Sequence, residues 1–134
     1  MIFKLGLGFA LFIAVLLIAP LVNAGDNTVG ITYVSAAEAQ TLVSHNKDLI
    51  VLDVRTPGEY KRGHIEGAVR NNYFSTKFKK RLRALDKSKP YLVHCKSGHR
   101  SERVVKIMVK EGFTNITHLD GGYDAWKKLP PKKD

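Results

Sequence analysis

The chain has 134 residues, of which 25% are charged and 44% hydrophobic, and its formal net charge at pH 7 is +10. This length and composition leave room for one globular core and exclude both a disordered chain and two full-sized domains. The basic excess first indicates a nucleic-acid partner, but the lysines and arginines are scattered and accompany no recognisable nucleic-acid-binding module, so we expect none. We interpret them as a solvated basic surface, or one that attracts small anions or anionic membranes.

The first 24 residues predict a secretory signal peptide. Lys4 is their only charge, residues 5–19 are apolar, and Val22 and Ala24 precede the expected cut. This order is typical of a leader that is cleaved after Ala24. An uncleaved membrane anchor is the alternative, because about 18 apolar residues nearly span a bilayer. We expect export to a periplasm, or secretion beyond it, and no stable membrane span after cleavage.

Strand and helix patterns alternate through the rest of the chain. In chain order they predict a strand at 31–34, a helix at 36–45, a strand at 49–54, a loop with one helical turn at 55–67, a strand at 68–73, a helix at 76–86, a strand at 91–95, a helix at 100–111, a strand and turn at 115–122, and a helix at 123–129. This alternation predicts a single α/β domain with an open, mostly parallel sheet and helices on both faces. Binding sites in such sheets lie at the carboxyl ends of the strands.

A few residues carry these assignments. Ser35 and Glu38 form a capping-box pattern before the first helix. The run "LIVLDV" at 49–54 is apolar without alternation, as expected of a central strand covered on both faces. Ser75 is a candidate N-cap for the helix "TKFKKRLRALD", which has a solvated basic face, with a membrane-surface helix as the alternative. Gly112 supplies a left-handed stop after the fourth helix.

Cys95 is the only cysteine of the chain, and it falls where a strand ends and a helix begins. Exported proteins usually keep cysteines in disulfide pairs, so a solitary thiol is either an inert core residue or a reactive one. The amides of a first helical turn lack intrahelical partners, and Lys96, His99 and Arg100 add positive charge nearby. Such surroundings lower a thiol pKa and favour the thiolate at neutral pH. A small sulfur-bearing or oxygen-bearing anion is the expected guest of this compact loop.

Three stretches resemble the signature motifs of single-domain rhodaneses, and they occur in the same order. They are "LDVRTPGEYKRGHIEGA", "HCKSGHRS" and "LDGGYDAW", and the resemblance covers residues 30–129. It implies a rhodanese fold with a five-stranded parallel sheet and flanking helices. It also implies a cysteine that carries a persulfide sulfur from a donor to a thiophilic acceptor. With the leader, it indicates an exported, periplasmic member of the family, ending in a basic tail at 130–134.

The resemblance assigns roles to individual residues. Cys95 is the nucleophile and sulfur carrier, and Arg100 closes the loop. The outer sulfur is held by the backbone amides of Lys96, Ser97, Gly98, His99, Arg100 and Ser101. Lys96 and Arg100 attract an anionic donor such as thiosulfate, and the acceptor is cyanide, a thiol or a protein thiol. Asp53 and Arg55 match a polar pair that supports the loop, and no metal or organic cofactor is needed.

Three other interpretations stay open. Related Cys-based phosphatases and arsenate reductases use a loop one residue longer than that from Cys95 to Arg100, and the shorter loop favours a cradled sulfur atom. A metal site at His94, Cys95 and His99 is disfavoured, because a strand and a tight loop keep these ligands from converging. A catalytically silent binding module is the third. After "GHIEGA" the chain reads "VRNNYF" and departs from the family pattern, which leaves the wall opposite Cys95 open. We expect His64 and Trp126 to be structural.

Overall fold

Five strands form the centre of the structure, a computed structural model that describes residues 30–131. In chain order the elements are β1 (Ile31–Val34), α1 (Ala36–His45), β2 (Ile50–Asp53), α2 (Pro57–Lys61), β3 (Val69–Arg70), α3 (Phe78–Arg83), β4 (Tyr91–His94), α4 (His99–Lys110), β5 (Ile116–Leu119) and α5 (Gly122–Trp126). The predicted signal peptide, and the last three residues of the predicted basic tail, lie outside the described residues. No helix within 30–131 is long and apolar enough to cross a bilayer.

The sheet is open and parallel throughout, with the strand order β1-β5-β4-β2-β3. β4 lies at its centre, and all four of its residues are buried. Parallel strands need crossover connections, and the helices between them supply these connections. The predicted single α/β domain with a five-stranded parallel sheet is therefore confirmed.

Helices cover both faces of the sheet, so the protein has two apolar layers. On one face α3 and α4 pack against β2 and β4, with Leu82, Met108 and Phe113 fully buried. On the other face α1 and α5 pack against the sheet around Ala39 and Leu119. This double covering explains why the central strands are apolar runs without alternation.

The structure corrects four local predictions. Ser75 does not cap α3: the N-cap is Lys77, which makes no side-chain cap hydrogen bond, and the Ser75 hydroxyl instead accepts the Lys77 amide in the preceding turn. α3 is also shorter than predicted. The strand predicted at 68–73 contains only Val69 and Arg70, because Asn71 turns inward and donates to the Phe78 carbonyl. The last helix already ends at Trp126.

The capping-box prediction is correct and has a counterpart. Ser35 accepts the Glu38 amide while the Glu38 carboxylate accepts the Ser35 amide, which defines the start of α1. Thr56 and Glu59 make the same reciprocal pair before α2, the short helix in the loop after β2. Each pair satisfies amides that a helix start leaves without partners.

Candidate active site

Cys95 follows the last residue of β4 and is 1% exposed, at the bottom of the loop that leads into α4. Its Sγ accepts a hydrogen bond from the Gly98 amide at 3.1 Å and one from the Ser101 hydroxyl at 3.4 Å. Gly98 has a φ of 109°, a conformation that glycine adopts readily, and it caps α4. The loop therefore turns its hydrogen-bond donors toward the sulfur.

These donors decide the ionisation of the thiol. Burial by itself raises the pKa of Cys95, since it disfavours a charged sulfur. The Ser101 hydroxyl and the amides of Ser101, Gly98 and Ser97 oppose burial, and together they hold the pKa of Cys95 below its usual value. The direction of this change is the one that the sequence predicts, and hydrogen bonds rather than neighbouring cations are its main cause.

The end of β5 and the start of α5 hold the loop from below. The Tyr123 amide donates to the Cys95 carbonyl at 2.8 Å, and the Asp124 amide donates to the Lys96 carbonyl at 2.9 Å. Gly122 lies against this pair of carbonyls, and a Cβ built on it would stand 2.5 Å from the Lys96 oxygen. The "LDGGYDAW" motif therefore positions the loop after Cys95 through its backbone, and glycine is required at position 122.

Lys96 points away from the sulfur toward α5. Its side chain is 59% exposed, and its Nζ lies 2.8 Å from the Asp124 carboxylate, which also pairs with Lys127 at 3.3 Å. Two cations share one carboxylate, so the rim keeps a net positive charge. Lys96 and Lys127 line a surface depression together with Arg62 and Arg55. The predicted attraction of an anion at this rim is compatible with that arrangement.

Arg100 is already engaged by another element. Its guanidinium forms two hydrogen bonds with the Glu59 carboxylate, at 2.7 and 2.9 Å, and so joins the start of α4 to α2. The exposed ring of Phe74 lies beside it, 5.5 Å from the guanidinium carbon. Phe74 belongs to the stretch that departs from the family pattern, and it gives this side of the site an apolar surface.

The Glu59–Arg100 pair makes stability depend on pH. Hydrogen bonds from Arg100 lower the pKa of Glu59 to about 2. A carboxylate with a lowered folded-state pKa stabilises the fold above its ordinary pKa, and this stabilisation is lost as the pH falls through 2. Because the pair is near the surface, we expect the free energy of unfolding that it contributes to fall by about 1 to 2 kcal/mol between pH 5 and pH 2.

Glu59→Gln tests this expectation, because glutamine keeps the capping box and removes the charge. The variant should be less stable than the parent at pH 6 and should lose less free energy of unfolding on acidification to pH 2, measured with urea. Glu66→Gln, at an exposed carboxylate in the next loop, is the matched control. If the free energy of unfolding fell equally with pH in the parent and in Glu59→Gln, the role assigned to the Glu59–Arg100 pair would be contradicted.

Asp53 and Arg55 form a buried pair beneath the loop. The Arg55 guanidinium donates to both Asp53 oxygens, at 2.7 and 2.9 Å, and also to the Gly63 carbonyl at 2.8 Å. It also lies over the Tyr123 ring, 4.2 Å from its centre. The pair thus connects the end of β2 with the start of α5 and with the loop before β3, and these contacts fit a supporting role rather than contact with the sulfur.

The histidines near the sulfur have separate partners. Burial lowers the pKa of His94, whose Nδ1 donates to the Cys95 carbonyl at 3.0 Å while its Nε2 lies 3.7 Å from Asp53. His99 faces the solvent side and its Nδ1 contacts the Ser97 hydroxyl. Within residues 30–131, no group of three or more His, Cys, Asp and Glu side chains is arranged to hold a metal ion.

His64 and Trp126, which we expected to be structural, make their contacts away from the hydrogen-bond donors around Cys95 Sγ. His64 stacks on Tyr60, with ring centres 3.7 Å apart, and its Nδ1 contacts the Tyr60 carbonyl. Trp126 packs against the apolar layer beneath α1 and α5. Neither residue contacts the sulfur or its loop through any of these interactions.

A further buried contact to the site comes from β5 and was not predicted from the sequence. His118, in β5, is 3% exposed, and its Nε2 lies 2.8 Å from the Ser101 hydroxyl. On its other side, Nδ1 lies 3.0 Å from the Asp120 carboxylate. The available signal was a histidine and an aspartate two positions apart at the end of a predicted strand. In the structure the end of this strand, β5, lies beside the end of β4.

Comparisons with known proteins agree with this geometry. Residues 35–129 match the family model described as "Rhodanese-like domain". A thiosulfate sulfurtransferase GlpE from Coxiella burnetii is 34% identical over 101 residues, which are 75% of this chain and 92% of that protein. Another GlpE, from Pseudomonas entomophila, is 33% identical over 69% of this chain and 83% of its own length. A rhodanese-related crystal structure from Thermoplasma volcanium superposes with a TM-score of 0.64 at 27% identity, covering 72% of this chain and 91% of that one.

Proposed function

This chain belongs to the rhodanese-like family, and we propose that it is a thiosulfate sulfurtransferase in which Cys95 carries the transferred sulfur. The observation that carries the proposal is the set of donors around Sγ: the Gly98 amide at 3.1 Å and the Ser101 hydroxyl at 3.4 Å. They favour a thiolate, and thiolates are the nucleophiles of sulfur chemistry. The GlpE relatives support a sulfurtransferase-type function.

In the first half-reaction the Cys95 thiolate attacks the outer sulfur of thiosulfate. A bond forms between Sγ and this sulfur, the S–S bond of thiosulfate breaks, and its electron pair leaves with sulfite. The negative charge then lies on the outer sulfur of the persulfide. Free amides at the start of α4 would stabilise that charge, as helix starts stabilise anions.

In the second half-reaction a thiophilic acceptor takes the outer sulfur. Cyanide attacks it, the S–S bond of the persulfide breaks, thiocyanate leaves and the Cys95 thiolate is regenerated. A small thiol or a protein thiol would react at the same atom. The exposed Phe74 ring beside Arg100 offers apolar contact to an acceptor larger than cyanide. Two such half-reactions predict double-displacement kinetics.

Intact-mass spectrometry tests the proposal directly. Protein incubated with thiosulfate should gain the mass of one sulfur atom, and subsequent cyanide should remove it with release of thiocyanate. A chain that never gains the sulfur would be a silent binding module. Hydrolysis of an aryl phosphate without any persulfide would instead indicate a phosphatase, the alternative that the six-residue loop disfavours.

Lys96 provides a test of donor capture. Lys96→Gln should raise the KM for thiosulfate about three- to tenfold at low salt and change kcat little, because an exposed cation attracts an anion from a distance. The difference should shrink at high salt. Lys89→Gln is the matched control: it is exposed at the opposite end of β4 and should leave KM unchanged. An equal KM for the Lys96 and Lys89 variants would remove Lys96 from donor capture.

We also propose export to a periplasm, on the charged, apolar and small-residue order of the first 24 residues. In a bacterial host with an exporting pathway, the mature protein should begin at Gly25 and fractionate with periplasmic contents. A mature chain that retains Met1 and sediments with membranes would indicate the uncleaved anchor.

A further inference from the structure

A continuous series of polar contacts connects the protein surface at the carboxyl end of β5 to the sulfur. Asp120, 58% exposed, contacts His118 Nδ1 at 3.0 Å, and His118 Nε2 contacts the Ser101 hydroxyl at 2.8 Å. The Ser101 hydroxyl lies 3.4 Å from Cys95 Sγ. Ser101 and Cys95 are buried, and so is the imidazole between Ser101 and Asp120. The four side chains come from the ends of β4 and β5 and from the first turn of α4.

The Ser101 hydroxyl has one proton and three neighbours that could accept it. These are Cys95 Sγ, His118 Nε2 and the Gly98 carbonyl at 3.1 Å. The carbonyl can only accept, whereas Nε2 accepts or donates according to its protonation. The state of His118 therefore decides how the hydroxyl is shared.

Asp120 limits the states that the imidazole can adopt. A carboxylate accepts only, so the contact at 3.0 Å requires a proton on Nδ1. A neutral His118 in this tautomer has an unprotonated Nε2, which accepts a hydrogen bond from the Ser101 hydroxyl. A doubly protonated His118 donates from Nε2 to the Ser101 oxygen, which frees the hydroxyl proton for an acceptor. A thiolate then outcompetes the Gly98 carbonyl, because hydrogen bonds to charged acceptors are stronger.

We propose that His118, held by Asp120, is a positioning residue that directs the Ser101 hydroxyl toward Cys95 when the imidazole is protonated and away from it when the imidazole is neutral. The thiolate and the imidazolium then stabilise each other through Ser101. When the sulfur is charged, the hydroxyl donates to it. When the charge moves to the outer sulfur of a persulfide, this donation loses its partner.

The inference rests on the proposed function for its role in turnover. Cys95 is the leaving group when an acceptor removes the outer sulfur, and a hydroxyl that donates to the departing thiolate lowers the barrier to that step. The same donation stabilises the thiolate that attacks the donor. The coupling between His118 and Cys95 does not itself require a persulfide, so it can be measured in the resting protein.

Other ionisable groups also face His118 and contribute to the electrostatic environment of its imidazole. Tyr33 of β1 lies with its ring centre 5.3 Å from the imidazole and donates to Glu102 of α4 at 3.0 Å. Burial, with Glu102 nearby, raises the pKa of Tyr33, so this phenol stays neutral in the range tested. His94 lies on the neighbouring strand β4. The negative groups around His118 are thus Asp120, Glu102 and the thiolate itself.

Reciprocal titration tests the coupling. Imidazole NMR signals of His118 should be followed against pH in the parent and in Cys95→Ser, which keeps a hydrogen-bonding side chain but carries no charge at neutral pH. The titration midpoint of His118 should be lower in Cys95→Ser than in the parent, because the thiolate no longer favours the imidazolium. The exposed His64 is the internal control and should not move.

The same pair of proteins is then compared in a Ser101→Ala background. The shift should shrink to a small fraction, because the hydroxyl that transmits it is gone. An undiminished shift in the Ser101→Ala background would show a direct charge interaction through space and overturn the proposal. The absence of any shift in the background that keeps Ser101 would also overturn it. Persulfide formation is measured separately by mass. A protein that shows the coupling but gains no sulfur therefore refutes the proposed function alone.

Discussion

Replacing Cys95 with alanine is expected to abolish sulfur transfer from thiosulfate to cyanide, by at least about a thousandfold, while the fold is kept. In the proposed mechanism Sγ forms the S–S bond of the persulfide in the first half-reaction and loses it in the second, and the described residues hold no second cysteine. The removed atom is buried but small, so the free energy of unfolding should change by about 1 kcal/mol. Thiocyanate release and urea unfolding are the two measurements.

Two further variants separate the chemistry from the environment of the sulfur. Cys95→Ser should be as inactive as Cys95→Ala, because a hydroxyl in the same place is too weak a nucleophile. Ser101→Ala should keep measurable activity, because it removes one of the donors to Sγ and leaves the amides of the loop in place. Substantial activity in either Cys95 variant would end the assignment of this residue as carrier.

The fold could be predicted from local patterns because most of its elements are locally consistent. Ser35 and Glu38 specify where α1 begins, and the apolar run around Val51 specifies a strand with both faces covered. Ser75 was misleading because a serine before an amphipathic run is typical of a helix cap. Here its hydroxyl accepts the Lys77 amide, in a turn that precedes the helix. Caps compete with turns for the same amides, and tertiary packing decides between them.

From local pattern alone, the site could be predicted only where its residues are neighbours in sequence, whereas Asp53 and Arg55 were assigned through the family resemblance. The loop from Cys95 to Arg100 is contiguous, so its donors and charges were visible. The partners of its cations were not: Glu59 and Asp124 lie 41 and 28 positions away from Arg100 and Lys96. His118 also reaches the site only because β5 lies beside β4. Such contacts depend on strand order, and local periodicity does not determine strand order.

Gly122→Ala is the second variant for which we expect a large effect. Gly122 has a φ of 60°, and an added Cβ would stand 2.5 Å from the Lys96 carbonyl oxygen and 2.6 Å from that of Cys95. These are backbone atoms, so no side-chain rotation relieves the overlap. The loop that holds the sulfur must shift, and with it the amide contacts from Tyr123 and Asp124. We expect a loss of more than about 3 kcal/mol in the free energy of unfolding, and loss of sulfur transfer.

Gly67→Ala separates backbone strain from the overlap. Gly67 has a φ of 75°, in the same left-handed region, but a Cβ there would meet no atom within 4 Å. It should therefore cost only the conformational strain, about 1 to 2 kcal/mol, and leave activity intact. If the two variants were equally stable in urea unfolding and equally active in sulfur transfer, the close approach of Gly122 to the loop would have no energetic consequence. The loop would then have to be held in place by its own hydrogen bonds, without support from the start of α5.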